Sequence, residues 1–362
     1  MFSPFPYDNI TSNSQFFGRV KEIEKISEIV KYSNNLLIHS KRRMGKTSLV
    51  KEFFEKNKDR YLCIYVDIFD ITSKEDFSKA LLTALSNSTK LDLKGAIKSL
   101  TSLFKRVRVE PTIDPKTLEY SIKPIVTTLT FEQMLEDFFY TISEYSKNQQ
   151  IIIAIDEFQQ IANITDVKLD AILRKYIQER ENISYIFLGS KRHLLTSLFQ
   201  YKAPLYELAN HFELQPLNIE DIKQYSTQYL ILNDKLLDYI YEESDGETKM
   251  LQHILHLLYI QKQKTITKEQ VDDTIQEIIN SKDSSYKIIF DTLNNNQKIA
   301  LKIVVKYKNG FFNSSVLSQY NIKKQTLQSS VNTLFAKELI DKNDDKYFIP
   351  DRVFEFWVRR II

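Results

Sequence analysis

LLIHSKRRMGKTSLV, residues 36–50, reads as a buried strand, a tight loop and the first turns of a helix. Leu36, Leu37 and Ile38 end a short apolar run suited to a central parallel strand. Ser48, Leu49 and Val50 open a helix that continues through Phe53 and Phe54. The loop between them follows the phosphate-binding pattern G-x-x-x-x-G-K-[ST], except that Ser40 stands where the first glycine is expected. Ser40, Lys41, Arg42, Arg43, Met44, Gly45, Lys46, Thr47 and Ser48 are therefore candidate nucleotide-binding residues. Successive backbone N–H groups and the positive end of the helix surround phosphate, so Gly45 must let the main chain come close. Lys46 brings a point charge to the β and γ phosphates, and Thr47 brings a hydroxyl for Mg²⁺. A serine at position 40 serves if that residue is not forced to positive φ. The plainer alternative is a basic turn, Lys41-Arg42-Arg43, that only caps a strand.

A second stretch supports the phosphate reading. Ile151-Ile152-Ile153-Ala154-Ile155 is a continuous apolar run ending in Asp156-Glu157. A parallel strand covered on both faces reads this way, and ligands sit at the carboxyl ends of such strands. Asp156 is the candidate metal ligand with Thr47, and Glu157 the candidate base that polarises the attacking water.

The chain has 362 residues, 43% of them hydrophobic, enough for a large core and two or three domains. Its net charge of +3 argues neither for nor against nucleic acid, so any basic surface is local. One cysteine, Cys63, excludes an internal disulfide and is expected to be a buried small hydrophobe. The first residues, MFSPFPYDNI, have no charged-then-apolar leader, and no apolar run reaches membrane-spanning length. The expected compartment is the cytosol. The five histidines show no zinc spacing, there is no G-x-S-x-G, and no solenoid-period repeat stands out.

Upstream of the loop, Phe17-Gly18-Arg19 precedes Val20, Ile23, Ile26, Ile29 and Val30 at helical spacing. This start, the RRMGKTSL loop and the later strand ending in DE together resemble the STAND ATPases related to the AAA+ class, specifically the archaeal-type ATPase family also found in bacteria. The resemblance implies ATP as the nucleotide and places Gly18 and Arg19 near the adenine; for Arg19 an ordinary surface arginine at a helix start is the alternative. It puts an acidic residue, Asp67, at the end of the strand Tyr61–Ile68, where a turn-capping role is equally open. It makes Ile183–Leu188 the strand that ends at a γ-phosphate sensor, with Ser190 the candidate ahead of Lys191 and Arg192. Family members carry an arginine soon after a Pro-aromatic-Tyr segment; here Pro204-Leu205-Tyr206 is followed by Glu207-Leu208, which removes an arginine finger from that place. Gly246-Glu247-Thr248 opens a helix from which Lys249 or His253 is a weaker second-sensor candidate, against a plain helix start.

Between these elements, helices are expected at Phe77–Ser86, Leu93–Phe104, Phe131–Tyr145 and Leu169–Glu179. RVRVEPTIDPKTLEYSIKP reads as an inserted β-hairpin around Asp114-Pro115, with Lys105, Arg106 and Arg108 on a solvated face or against a partner. Asn218–Tyr229 opens a helical lid, and Thr267–Ile279 is a further amphipathic helix. From about residue 290 the pattern is that of a winged helix: helices at Gln297–Tyr307, Ser314–Tyr320 and Lys323–Glu338, then a two-stranded wing through Asn343-Asp344-Asp345. In a DNA reader Lys323, Lys324, Gln325 and Gln328 are the groove-facing residues, but an acidic wing weakens that use. Pro350-Asp351 with Phe354, Phe356 and Trp357 resembles the family's terminal D-x-x-F-x-x-W segment, whose aromatics are expected to pack the winged helix.

The expected architecture is an α/β P-loop core over 1–215, a helical lid over 216–288 and a winged helix over 289–362. The expected activity is slow or partner-stimulated ATP hydrolysis with Mg²⁺, with Glu157, Lys46 and Ser190 as catalytic residues and DNA or a protein as partner of the winged helix. The alternative is a module that binds nucleotide structurally without hydrolysing it. Nothing in the sequence fixes the oligomeric state.

Overall fold

A computed structural model of the chain describes residues 3–9, 15–88, 108–113, 120–125, 129–179, 181–190, 192–262, 265–343 and 345–361. The chain divides into two compact units, one made of Thr11–Lys41 and Gly45–Gln215, the other of Met1–Ile10, Arg42–Met44 and Pro216–Ile362.

The first unit is an α/β fold. Its elements are α1 (Val20–Lys31), β1 (Leu36–His39), α2 (Lys46–Asn57), β2 (Leu62–Asp67), α3 (Lys74–Ser88), β3 (Arg108–Ile113), β4 (Tyr120–Ile125), α4 (Phe131–Ser146), β5 (Ile151–Asp156), a 3₁₀ turn (Phe158–Asn163), α5 (Leu169–Gln178), β6 (Ile183–Gly189), α6 (Arg192–Phe199) and β7 (Asn210–Glu213). Five strands form one parallel sheet in the order β2-β5-β6-β1-β7. β5 and β6 lie inside the sheet and every residue of both is buried, which is why they appear in the sequence as unbroken apolar runs. β7 is an edge strand of four mostly exposed residues, Asn210-His211-Phe212-Glu213, and its polarity hides it from periodicity.

Helices cover the sheet with Phe77, Leu81, Phe138, Phe139, Leu169 and Leu173 among the fully buried side chains. α4 starts at a capping box in which the Thr130 hydroxyl accepts from the Gln133 N–H and the Gln133 side chain accepts from the Thr130 N–H. The expected hairpin is present as the antiparallel pair β3-β4, with Arg108 opposite Ile125. The helix expected at 93–104, with Lys105, Arg106 and Asp114-Pro115, lies outside the described residues. Cys63 is half-buried rather than fully buried, because β2 lies at the sheet edge; burial still pushes its thiol up to about 12.

The second unit is mostly helical: α7 (Ile219–Ser226), α8 (Asp234–Ser244), α9 (Thr248–Ile260), α10 (Lys268–Ser281), α11 (Asp283–Asp291), α12 (Asn295–Tyr307), α13 (Ser314–Gln319), α14 (Lys324–Ala336), the wing β8 (Asp341–Asn343) with β9 (Lys346–Phe348), and α15 (Arg352–Arg360). Asn294 with Gln297 and Thr267 with Gln270 form two further capping boxes. Leu301 and Val304 of α12, Leu327, Val331 and Leu334 of α14, and Val358 of α15 are buried and form the winged-helix core. The wing pairs Asp341 with Phe348 and Asn343 with Lys346, and Tyr347 N–H donates to the Lys308 carbonyl at 2.7 Å. Trp357 and Phe354 pack on Tyr286, and the indole N–H donates to Asp283 at 2.7 Å, so the terminal aromatics fasten α15 to α11. Phe356 instead lies under the guanidinium groups of Arg352 and Arg359. Among the described residues no helix is long and apolar enough to cross a membrane.

Candidate nucleotide and metal site

The loop after β1 is shaped by two left-handed residues. Gly45 has φ +87°, an angle that a side chain disfavours even though nothing crowds the position where a Cβ would stand. Arg43 has φ +65°. Ser40 lies outside the left-handed region, so the missing first glycine costs the turn nothing. Serine also does what glycine could not. Its hydroxyl accepts from the Lys46 ammonium at 3.1 Å, and the ammonium donates to the Lys41 carbonyl at 3.1 Å. Lys46 and Ser40 are both buried, so this charge is held by the loop's own oxygens.

The carboxyl end of β5 comes to the start of α2. Thr47 Oγ1 donates to Asp156 Oδ2 at 2.5 Å. The same oxygen accepts from the Tyr65 phenol at 2.6 Å, and Asp156 Oδ1 accepts from the Glu157 backbone N–H at 2.8 Å. Burial beside Asp156 pushes the Tyr65 phenol far above its ordinary range, so it remains a donor. A hydroxyl and a carboxylate in contact form a hard-oxygen set that suits Mg²⁺, which takes one or two protein oxygens and completes its shell with phosphate and water. Thr47 and Asp156 are thus the residues that would hold that ion.

Glu157 follows in the left-handed region, at φ 55°, ψ 39°. The turn brings its carboxylate to β6: Ser190 Oγ donates to Glu157 Oε2 at 3.3 Å, and the Gln159 amide donates to the same oxygen. The structure therefore joins Thr47 to Asp156, and Glu157 to Ser190, across three separate stretches of chain. Lys191 lies outside the described residues. Ser48 lies in the first turn of α2, half-buried.

Other sequence candidates sit elsewhere. Gly18 and Arg19 both take left-handed angles at the start of α1. The buried Arg19 guanidinium pairs with Glu22 at 2.8 Å and donates to the Gln215 carbonyl at 2.6 Å, contacts that fix this turn. Arg42, Arg43 and Met44 have their partners in the second unit: Arg42 pairs with Glu338, Arg43 with Asp351 at 2.7 Å, and the Met44 carbonyl accepts from the Thr248 hydroxyl at 3.3 Å. The two arginine side chains are ion-paired to acids far along the chain, a role the loop motif does not announce. Asp67 caps its turn, accepting from the Phe69 N–H at 2.9 Å. The carbonyls of Pro204 and Tyr206 accept from Arg174, which ties the turn that leads into Glu207-Leu208. Lys249 pairs with Asp8, and His253 stacks on Tyr7 at 3.8 Å.

Sequence reading missed Tyr65 and Gln159. Tyr65 precedes Asp67 by two residues on β2, and Asp67 stands opposite Asp156 in the parallel register, so the phenol shares the face of the acid. A lone tyrosine in that short apolar strand was the available signal. Gln159 gave none, because its role depends on the left-handed turn at Glu157.

A family model described as an ATPase domain predominantly from Archaea matches residues 16–254, and a probable winged helix domain matches residues 284–360. An ATP-binding protein of Pyrococcus abyssi is 24% identical over 239 residues, which cover 62% of this chain and 66% of that protein. An ATP-binding protein of Methanocaldococcus jannaschii is 29% identical over 188 residues, 50% of this chain and 43% of that one. The chain thus spans between about two fifths and two thirds of the length of these curated relatives. Among solved structures, a Walker-type ATPase of Pyrococcus abyssi superimposes with a TM-score of 0.67 at 18% identity, covering 98% of this chain and 99% of that one. The Aeropyrum pernix ORC1 protein, solved in complex with DNA, gives 0.54 at 11% identity, over 99% and 97% of the two chains. With a phosphate loop, a strand ending in Asp156-Glu157 and a family match across most of its length, this chain belongs to the family of ATPase domains found predominantly in Archaea, followed by a winged helix domain.

Proposed function

We propose that the chain binds ATP with Mg²⁺ and hydrolyses it slowly, as a nucleotide switch of the STAND type whose output is the winged helix. The observation that carries this reading is the placement of the Glu157 carboxylate beside Ser190 Oγ and immediately after an Asp156 bonded to Thr47. In the proposed roles, the loop amides and Lys46 bind the phosphates, while Thr47 and Asp156 hold the metal, which when bound offsets phosphate charge. Glu157 takes the proton from the attacking water, and Ser190 orients on the γ-phosphate.

Output through DNA is supported by α14 and its N-cap, where Lys323, Lys324, Gln325 and Gln328 are all exposed and the last three line an open groove reaching Asn332. The wing opposes it in part, since Asp345 is fully exposed and Lys342 is paired with it at 3.7 Å. A second reading, structural nucleotide without hydrolysis, is favoured by Glu207-Leu208 in the place of an arginine finger.

Mg²⁺-dependent ATP turnover, measured with and without duplex DNA, separates the two. Turnover that rises with DNA, vanishes in Lys46→Ala and falls by orders of magnitude in Glu157→Gln with ATP still bound supports the switch. Tight ATP binding without turnover in the wild type supports the second reading, and unchanged turnover in Glu157→Gln removes the assigned base.

A further inference from the structure

Gln159 is fully buried, yet half of its amide is unsatisfied. Its Nε2 donates to Glu157 Oε2, while its Oε1 has no hydrogen-bond partner among the described residues. A buried glutamine kept for packing alone is expected to satisfy both ends, because an orphan carbonyl is costly in a dry interior. The fold here accepts the orphan and spends the N–H on the candidate base.

The surroundings are fitted to this amide. At Gly189 a Cβ would stand 2.2 Å from Gln159 Oε1 and 2.7 Å from Leu195, so any larger residue at the end of β6 would displace the carboxamide from its present place. Gly189 is followed directly by Ser190, the other donor to Glu157 Oε2. From the opposite side, the left-handed Glu157 and the 3₁₀ turn after it, closed by Gln160 N–H to the Glu157 carbonyl at 2.9 Å, bring side chains two residues apart to face each other. Phe158 anchors that turn, buried against Phe187 at 4.5 Å between ring centroids.

We infer that Gln159 is a positioning residue for the base: with Ser190 it fixes Oε2 of Glu157, so that the other carboxylate oxygen faces the reacting water in one orientation. The inference rests on the hydrolysis reading above. A carboxylate held by two donors on one oxygen has lost the rotation that would otherwise scatter its second oxygen, and orientation of this kind acts on the chemical step rather than on nucleotide binding.

The test compares Gln159→Leu, Ser190→Ala, Glu157→Gln and the Gln159→Leu/Glu157→Gln pair with wild type for kcat, KM, ATP affinity and thermal midpoint. Leucine fills the glutamine's volume and removes the orphan carbonyl. The expected result is a kcat 10- to 100-fold lower, ATP affinity within about twofold, and a midpoint equal to or above wild type. In the Glu157→Gln background the same change should alter residual turnover by less than about threefold, because the two residues act as one unit. A Gln159→Leu protein with wild-type kcat overturns the inference, as does a loss of turnover that merely follows a lowered midpoint or weakened ATP binding. Should leucine prevent folding, Gln159→Met carries the same comparison. A wild-type protein that binds ATP without turnover removes the hydrolysis reading and this inference together, an outcome distinct from an active wild type with an equally active Gln159→Leu.

Discussion

Replacing Glu247 by glutamine should raise stability at alkaline pH and leave it unchanged near pH 4. The carboxyl is buried at 6% exposure. Its Oε1 lies 3.8 Å from the Arg43 guanidinium, and Oε2 accepts from the Arg352 N–H at 3.4 Å. Burial outweighs the attraction of Arg43, and the neighbouring Asp351 adds repulsion, so the group is pushed up to about 7 from an ordinary value of 4.5. Folding therefore retains a proton that the unfolded chain has already lost. The favourable contribution is complete below the unfolded value and is lost as pH rises through about 7. At about 1.4 kcal/mol per pH unit, the interval corresponds to about 3 kcal/mol.

His253 acts oppositely: burial holds it down at about 4 from 6.5, so its contribution is present above 6.5 and lost as pH falls. The two slopes oppose each other between pH 4.5 and 6.5, and the glutamine variant exposes the histidine alone. Trp357, the only tryptophan, lies in α15 of the same unit, and its fluorescence reports urea unfolding there. The variant should match wild type at pH 4 and exceed it by about 2 to 3 kcal/mol at pH 8. Parallel pH profiles for the two proteins would refute a native state that keeps Glu247 protonated.

Tyr65→Phe removes one donor from Asp156 and keeps the ring that Lys51 overlies at 4.5 Å; the Mg²⁺ concentration for half-maximal ATP turnover should rise about 10- to 100-fold with the thermal midpoint nearly unchanged. Gly189→Ala drives a methyl into Gln159 and Leu195, and should cost about 1 to 3 kcal/mol in denaturant melts while lowering kcat by more than the loss of folded protein explains. Asp351 both caps α15, accepting from the Val353 and Phe354 N–H groups, and pairs with Arg43. Asp351→Ala should cost about 2 kcal/mol and Asp351→Asn, which retains the cap, about 1 or less, read from Trp357 fluorescence.

What was legible in the sequence was whatever one stretch of chain decides locally. β1, β5 and β6 showed as apolar runs because a parallel strand inside a sheet is covered on both faces. The phosphate loop was legible because Gly45 answers to a backbone angle and Lys46-Thr47 to phosphate chemistry. The winged helix showed through the periodicity of α12 and α14 and the polar turn of its wing. β7 escaped because an exposed edge strand of four residues has no apolar alternation; α8 passed unmarked although Leu236, Leu237 and Ile240 recur at helical spacing. In the site, Asp156, Glu157 and Thr47 came from their motifs. Tyr65, Gln159 and the ion pairs of Arg42 and Arg43 depend on strand register, a single left-handed turn and partners up to several hundred residues away, none of which a local pattern contains.

The strand order has a consequence for how the protein is made. β1, which carries the phosphate loop, pairs with β6 on one side and β7 on the other, and with no strand near it in sequence. On the ribosome its backbone must wait for roughly 170 further residues, about 10 to 30 seconds of synthesis at ordinary rates. Through that interval Leu36, Leu37 and Ile38 are an apolar segment without its sheet partners. A chain stopped before Asn210 would hold every loop residue and still lack the β7 side of the ladder that flanks β1. Completion of the sheet, rather than of the motif, is then the step that gives the loop its strand neighbours.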